Sequence, residues 1–273
     1  MLMKGQGKRM TNNRNLNVTG GLNFRELGGY PTLDNQTVKW HKLLRTAGLA
    51  GLTPEDQQHL SQYGVVADVD FRSKDEQTMA PDRVPVGATY HFLPVFPADD
   101  QTDASATEAE LEQRFNGDDQ AGYRHMVDVY QKMITLPSAQ AAYHDFFATL
   151  SANDTAQQSV LFHCTAGKDR TGIGAFLALS ALNVDPQVIK TDYLLTNQNV
   201  MPKVEAQSDA ARRDGHTETF VTNIRALSTV NADYLDAAIK VINTQYGGVQ
   251  DYLHDVLKLS RNDLNNLKQL YLD

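Results

Sequence analysis

One segment constrains this chain more than any other: Ser159-Val-Leu-Phe-His163, then Cys164-Thr-Ala-Gly-Lys-Asp-Arg170, then an apolar run from Thr171 to Leu182. The first piece has strand character, Gly167 relieves a tight turn, and the last is of helix length with small residues along it. A strand, a tight loop and a buried helix form a unit of α/β architecture. The same rhythm occurs upstream, where Lys42–Arg45, Val65–Phe71 and Thr89–Leu93 read as strands. Between the first two lies a helix with Thr53 as cap, Pro54 in its first turn, Asp56 at the third position and Gly64 after its end. The block from Val18 to about Val95 therefore predicts a mostly parallel central sheet flanked by helices.

The rest of the chain reads as helical. Apolar residues at helical spacing from Tyr123 to Leu150 predict two packed helices broken at Pro137, and Asp185-Pro186 opens another. Asn197 to His216 reads as polar and irregular, and residues 193–231 as a lid or a solvated helix pair. Three helices close the chain: Ala232–Tyr246, Val249 to about Leu259, and one capped by Ser260 with Asp263. With no internal repeat and no Pro/Gly/Ser linker, residues 18–273 are expected to form a single α/β domain behind an exposed arm, residues 1–17. Residues 98–122 are an acidic excursion with Arg114 as the only base.

Composition excludes several functions. The 25 basic and 33 acidic residues leave a net charge of −8, the wrong sign for a general nucleic-acid binder. No apolar run approaches the roughly 20 residues of a membrane span. The basic arm with Lys4, Lys8, Arg9 and Arg14 lacks the apolar stretch of a secretory signal. A cytoplasmic location is expected unless the native N-terminus differs. The single cysteine, Cys164, excludes an internal disulfide and a multi-cysteine zinc site, and the eight histidines show no metal spacing. No metal or cofactor is expected.

The loop itself carries chemistry. Wrapped between a strand and a helix, the backbone amides of Thr165, Ala166, Gly167, Lys168, Asp169 and Arg170 can converge on one anion, reinforced by the helix N-terminus. Arg170 adds a planar grip on two phosphate oxygens. Cys164 at the mouth of this positive nest should be a thiolate at neutral pH. Thiolate and phosphate nest together point to phosphoryl transfer through a phosphocysteine. Thr171 can donate to the sulfur, and His163 can fix the loop through backbone groups. A nucleotide-binding loop is excluded, because Phe162 and Asp169 stand where such a loop needs Gly and Ser or Thr.

His163-Cys164-(five residues)-Arg170-Thr171-Gly172 resembles the signature of the protein tyrosine phosphatase superfamily. The fuller loop is similar to that of the bacterial tyrosine/lipid phosphatases secreted by some pathogens. Further matches lie at Asn23–Tyr30, Leu44-Arg45-Thr46 and Asp70-Phe71-Arg72-Ser73, covering most of the chain to about Asn199. Glu26 and Phe71 depart mildly from that pattern. The resemblance implies a tyrosine-phosphatase-like fold and hydrolysis of phosphotyrosine in proteins, in some members also of phosphoserine, phosphothreonine and phosphoinositides, with inorganic phosphate as product. It implies Lys168 as a ligand for an inositol phosphate, and Asp169 as general acid. Asp70 is the second candidate acid, and the region of Asp99 a third. Arg45 and Arg72 are equally open as phosphate ligands or structural ion-pair partners. Two other readings stay open: a phosphoinositide phosphatase using Lys168 with Arg212 and Arg213 on a flap, and a phosphate-recognition module without catalysis.

Overall fold

The computed structural model describes residues 14–96 and 107–273. In chain order the elements are β1 (Arg25–Glu26), β2 (Leu43–Thr46), α1 (Pro54–Tyr63), β3 (Val65–Asp70), α2 (Lys74–Met79), β4 (Thr89–Phe92), α3 (Glu108–Phe115), α4 (Ala121–Thr135), α5 (Pro137–Ala152) and β5 (Ser159–His163). There follow α6 (Arg170–Ala181), α7 (Pro186–Arg213), α8 (Glu218–Ser228), α9 (Ala232–Tyr246), the single turn α10 (Val249–Asp251) with a wider turn at Tyr252–Val256, and α11 (Arg261–Tyr271).

The five strands form one sheet in the order β1-β2-β5-β3-β4, parallel except for β1. β5 lies at its centre with all five residues buried, so it reads as a continuous apolar strand rather than an alternating one. Thr46 and Asp70 are both in register with His163, so β2, β3 and β5 end level with one another. The loops leaving them therefore meet at one edge, the crevice where open α/β sheets bind ligands. Every residue of α6 is buried, which explains an apolar run with no polar face. Phe71 packs edge to face on Phe146 and Phe162, whose own rings are tilted by 50° to each other.

Local signals act as their chemistry predicts. Thr53 and Asp56 close a reciprocal capping box on α1, and Gly64 ends it at φ 103°. Elsewhere the sequence misleads. The polar stretch after Asn197 is helical through Arg213, because Val200, Val204, Ser208 and Ala211 form a narrow buried stripe that holds α7 together across Pro202. The expected helix to about Leu259 gives way to the wide turn that ends at Val256. Residues 1–13 of the expected arm lie outside the described residues. Arg14 is not free: it stacks on Tyr30 with its guanidinium 3.6 Å from the ring centre, and Leu16 N–H donates to the Phe24 carbonyl. Residues 98–106 of the acidic excursion, with Asp99, also lie outside the described residues, and its remainder holds α3 and the start of α4. No helix among the described residues is long and apolar enough to cross a membrane.

Candidate active site

The loop from Cys164 to Asp169 is held by its carbonyls. His163 Nδ1 lies 3.2 Å from the Cys164 carbonyl, Gly48 N–H donates to that of Thr165, and Asn23 Nδ2 and Arg45 Nη2 donate to that of Gly167 at 2.9 and 3.0 Å. A trans peptide points the N–H of the next residue opposite its carbonyl. With these carbonyls turned into the scaffold, the amides that follow face the pocket. Gly167 makes this possible: its φ is +66°, and a Cβ there would sit 2.3 Å from the Thr46 carbonyl oxygen.

Cys164 is buried at the foot of this loop, and burial by itself would raise its thiol. The Arg170 charge and the hydroxyl and amide of Thr171 outweigh burial and bring it below its ordinary 9.0. The Thr171 hydroxyl is buried with no other partner, which leaves it to the sulfur.

Arg170 does not stand alone. Its Nη1 and Nη2 donate to Glu76 Oε2 and Oε1 at 2.6 and 2.8 Å, a bidentate pair that fixes the plane of the guanidinium. Glu76 also accepts from the Thr165 hydroxyl and, at 2.9 Å, from Ser73 N–H. Burial opposes its charge, but these partners hold the carboxyl down at about 2. Sequence reading missed Glu76. The one local signal, a Ser73-x-x-Glu76 capping box, marks the start of α2 and carries nothing about a pairing across 94 residues.

The candidate acids separate clearly. Asp169, the N-cap residue of α6 whose side chain makes no capping bond, lines the cavity above the loop, accepts from the Tyr130 hydroxyl at 2.8 Å and contacts Lys168 Nζ at 2.7 and 2.9 Å. Lys168 lines the same cavity. Asp70 does not reach it. Fully buried, it accepts from Arg72 N–H, Nε and Nη2 and from the Tyr90 hydroxyl. Burial is outweighed by His163 and Arg72, and its carboxyl sits at about 2, the wrong direction for an acid. Arg72 is thus a structural partner of Asp70 and Asp82.

Behind the loop, His163 Nε2 lies 3.2 Å from Asp68 and 3.3 Å from Asp82. Burial works against its charge, yet the surrounding carboxylates raise its pKa well above the usual value. Asp68, Asp82 and His163 are close enough to share a cation. The imidazolium and Arg72 already supply positive charge there.

Arg45 belongs to a second network. Arg25 and Arg45 share the buried Asp192 of α7 at 3.0 and 2.9 Å, and Tyr30 donates to the same carboxylate. Burial notwithstanding, the two arginines hold Asp192 at about 2. Arg45 thereby ties α7 to the Gly167 carbonyl rather than facing the pocket. Asp192 also escaped sequence reading.

The cavity above Cys164 holds about 660 Å³. Its floor is Cys164 to Ala166 with Lys168 to Arg170, and α4, α7 and α8 wall it with Met126, Val129, Val200, Val204, Ile224 and Leu227. Lys132 and Lys203 also line it, whereas Arg212 pairs with Glu218 and Asp209 outside it and Arg213 is absent from its lining. The alternative that puts these two arginines on a flap over the substrate gains no support from their placement.

The sequence pattern described as "Tyrosine phosphatase family" matches residues 16–273. The chain belongs to the tyrosine phosphatase family. This phosphatase is a hydrolase of the protein-tyrosine phosphatase class. It is 33% identical over 281 residues to the triple specificity protein phosphatase PtpB of Mycobacterium tuberculosis, covering 93% of this chain and 98% of the relative. It is 27% identical over 236 residues to a tyrosine-protein phosphatase of Nostoc commune, covering 82% and 72%. The helical C-terminal part of the phosphatase beyond about Asn199, where the motifs read from sequence end, falls within the family match.

Proposed function

We propose that this phosphatase hydrolyses phosphomonoesters through a covalent phosphocysteine, with protein phosphotyrosine as its main substrate and phosphoserine, phosphothreonine or phosphoinositide turnover beside it. One observation carries the reading: a thiol lowered below its ordinary pKa sits in an amide-lined loop beside an arginine whose plane is fixed by Glu76. The name of the mycobacterial relative supports breadth of substrate.

In the first step the Cys164 Sγ lone pair forms the S–P bond as the P–O bond breaks, and the leaving oxygen takes a proton from Asp169. Charge developing on the equatorial oxygens meets the loop amides and Arg170, donors that need no reorganisation. In the second step water gives its proton to Asp169, attacks phosphorus and releases phosphate. The electron pair of the S–P bond returns to Cys164, stabilised by Thr171. No step draws on a metal or cofactor.

The test is phosphate release from a phosphotyrosine peptide, a phosphoserine peptide and a phosphoinositide with chelator present. Turnover should survive chelation and vanish in Cys164→Ser while phosphate still binds. Turnover retained in that variant overturns the mechanism. Absence of turnover in the unaltered protein favours the recognition-module reading, and lipid turnover faster than peptide turnover reverses the substrate order.

A further inference from the structure

We infer that Tyr130, backed by Tyr193, is a positioning residue that dictates which oxygen of Asp169 carries the transferred proton. The inference rests on the proposed role of Asp169. Tyr130 on α4 and Tyr193 on α7 are buried, so each hydroxyl must find a partner inside the protein. The Tyr193 hydroxyl donates to the Tyr130 oxygen at 2.8 Å, and the Tyr130 hydroxyl donates to Asp169 Oδ1 at 2.8 Å. Each phenol has one proton. Receiving the proton of Tyr193, Tyr130 directs its own to Oδ1, and that oxygen is committed as an acceptor.

Lys168 Nζ reaches both oxygens, 2.9 Å from Oδ1 and 2.7 Å from Oδ2, whereas Tyr130 reaches Oδ1. When a phosphoryl group enters the loop and draws the ammonium to itself, Oδ2 is the atom left to take up a proton and hand it to the leaving oxygen. The carboxyl is thus oriented by a chain that begins on α7, crosses α4 and ends at the N-terminus of α6. Other groups facing Asp169 are Tyr143 from α5, Tyr234 from α9, and Cys164 and Arg170 of its own loop. Of the residues around the carboxylate, Tyr130 is the one whose neutral hydroxyl donates to it directly.

The Tyr130 ring packs on Tyr193 and Tyr234 with centroids 6.1 and 5.7 Å apart, contacts that phenylalanine keeps. The experiment compares Tyr130→Phe, Tyr193→Phe and Asp169→Asn on two substrates. Phenyl phosphate has a basic leaving group that needs the proton, and 4-nitrophenyl phosphate has one that does not. In Tyr130→Phe, kcat/KM for phenyl phosphate should fall about tenfold, part of the factor general acids supply, with little change for 4-nitrophenyl phosphate. Loss of a hydrogen bond to the charged carboxylate should also move the alkaline limb of the pH profile up by about one unit. Tyr193→Phe should shift both readouts the same way by less.

Equal losses on both substrates with an unmoved pH limb would make Tyr130 a packing residue and overturn the inference, while Asp169→Asn remained selective against phenyl phosphate. If Asp169→Asn shows no such selectivity, the acid assignment itself fails. Should Tyr130→Phe not fold, an unshifted profile in Tyr193→Phe overturns the relay.

Discussion

Replacing Glu76 by Gln removes the counter-charge of Arg170 while keeping shape and one acceptor oxygen. Folding lowers the Glu76 carboxyl from 4.5 to about 2. At about 1.36 kcal/mol per pH unit, that lowering corresponds to about 3 kcal/mol. The figure agrees with the roughly 3–5 kcal/mol lost when one partner of a buried ion pair is removed. Because the folded-state pKa is depressed, this stability is fully present above pH 4.5 and is lost as the pH falls toward 2. Urea unfolding at pH 7 should therefore find Glu76→Gln less stable by about 3 kcal/mol, with Tm lower by roughly 6–12 °C. The gap between the two proteins should narrow as the pH is lowered below 4.5. Turnover should fall as well, since the arginine fork loses the partner that fixes its plane. A gap that stays constant from pH 7 to pH 3 would refute an electrostatic origin, and an unchanged midpoint would refute the pairing itself.

Three further outcomes are expected. Gly167→Ala should abolish phosphate binding and destabilise the fold, because a Cβ would meet the Thr46 carbonyl 2.3 Å away at a positive φ; an unchanged phosphate affinity in a titration counters this. Asp70→Asn should lower stability by breaking the Arg72 pair without making the rate depend more steeply on the leaving group, and a steep dependence in that variant would return Asp70 to the mechanism. Alkylation of Cys164 by iodoacetamide should titrate at a pH below the ordinary 9.0 of a thiol, and Thr171→Ala should move that titration upward; the same midpoint in both proteins would show that Thr171 does not serve the sulfur.

What the sequence could tell divides along the range of the interactions. The strand-loop-helix unit around Cys164, the cap of α1 at Thr53 and the break at Pro137 are short-range features written in neighbouring residues, and they appear in the structure. Lys168 and Asp169 came with the loop, and both line the cavity. Glu76 and Tyr130 meet the loop from 94 and 39 residues away, Asp192 acts on it through Arg45, 147 residues from it, and no local pattern announces such meetings. The second half of α7 was misread for another reason. Its polar composition outweighed a stripe of only four buried positions, which acquires meaning when α8 packs against it.

The placement of β5 bears on how this protein ages and fails. A central strand with neighbours on both sides opens only when the whole sheet does, so its amides should exchange with solvent at the rate of global unfolding. Cys164, the proposed nucleophile, follows directly on that strand. Heat or denaturant should therefore extinguish phosphate binding at the loop and the native sheet in one transition. Any treatment that silences the enzyme while β5 remains protected from exchange must act on the thiol or on the cavity above it, and hydrogen exchange can tell such chemical inactivation from unfolding.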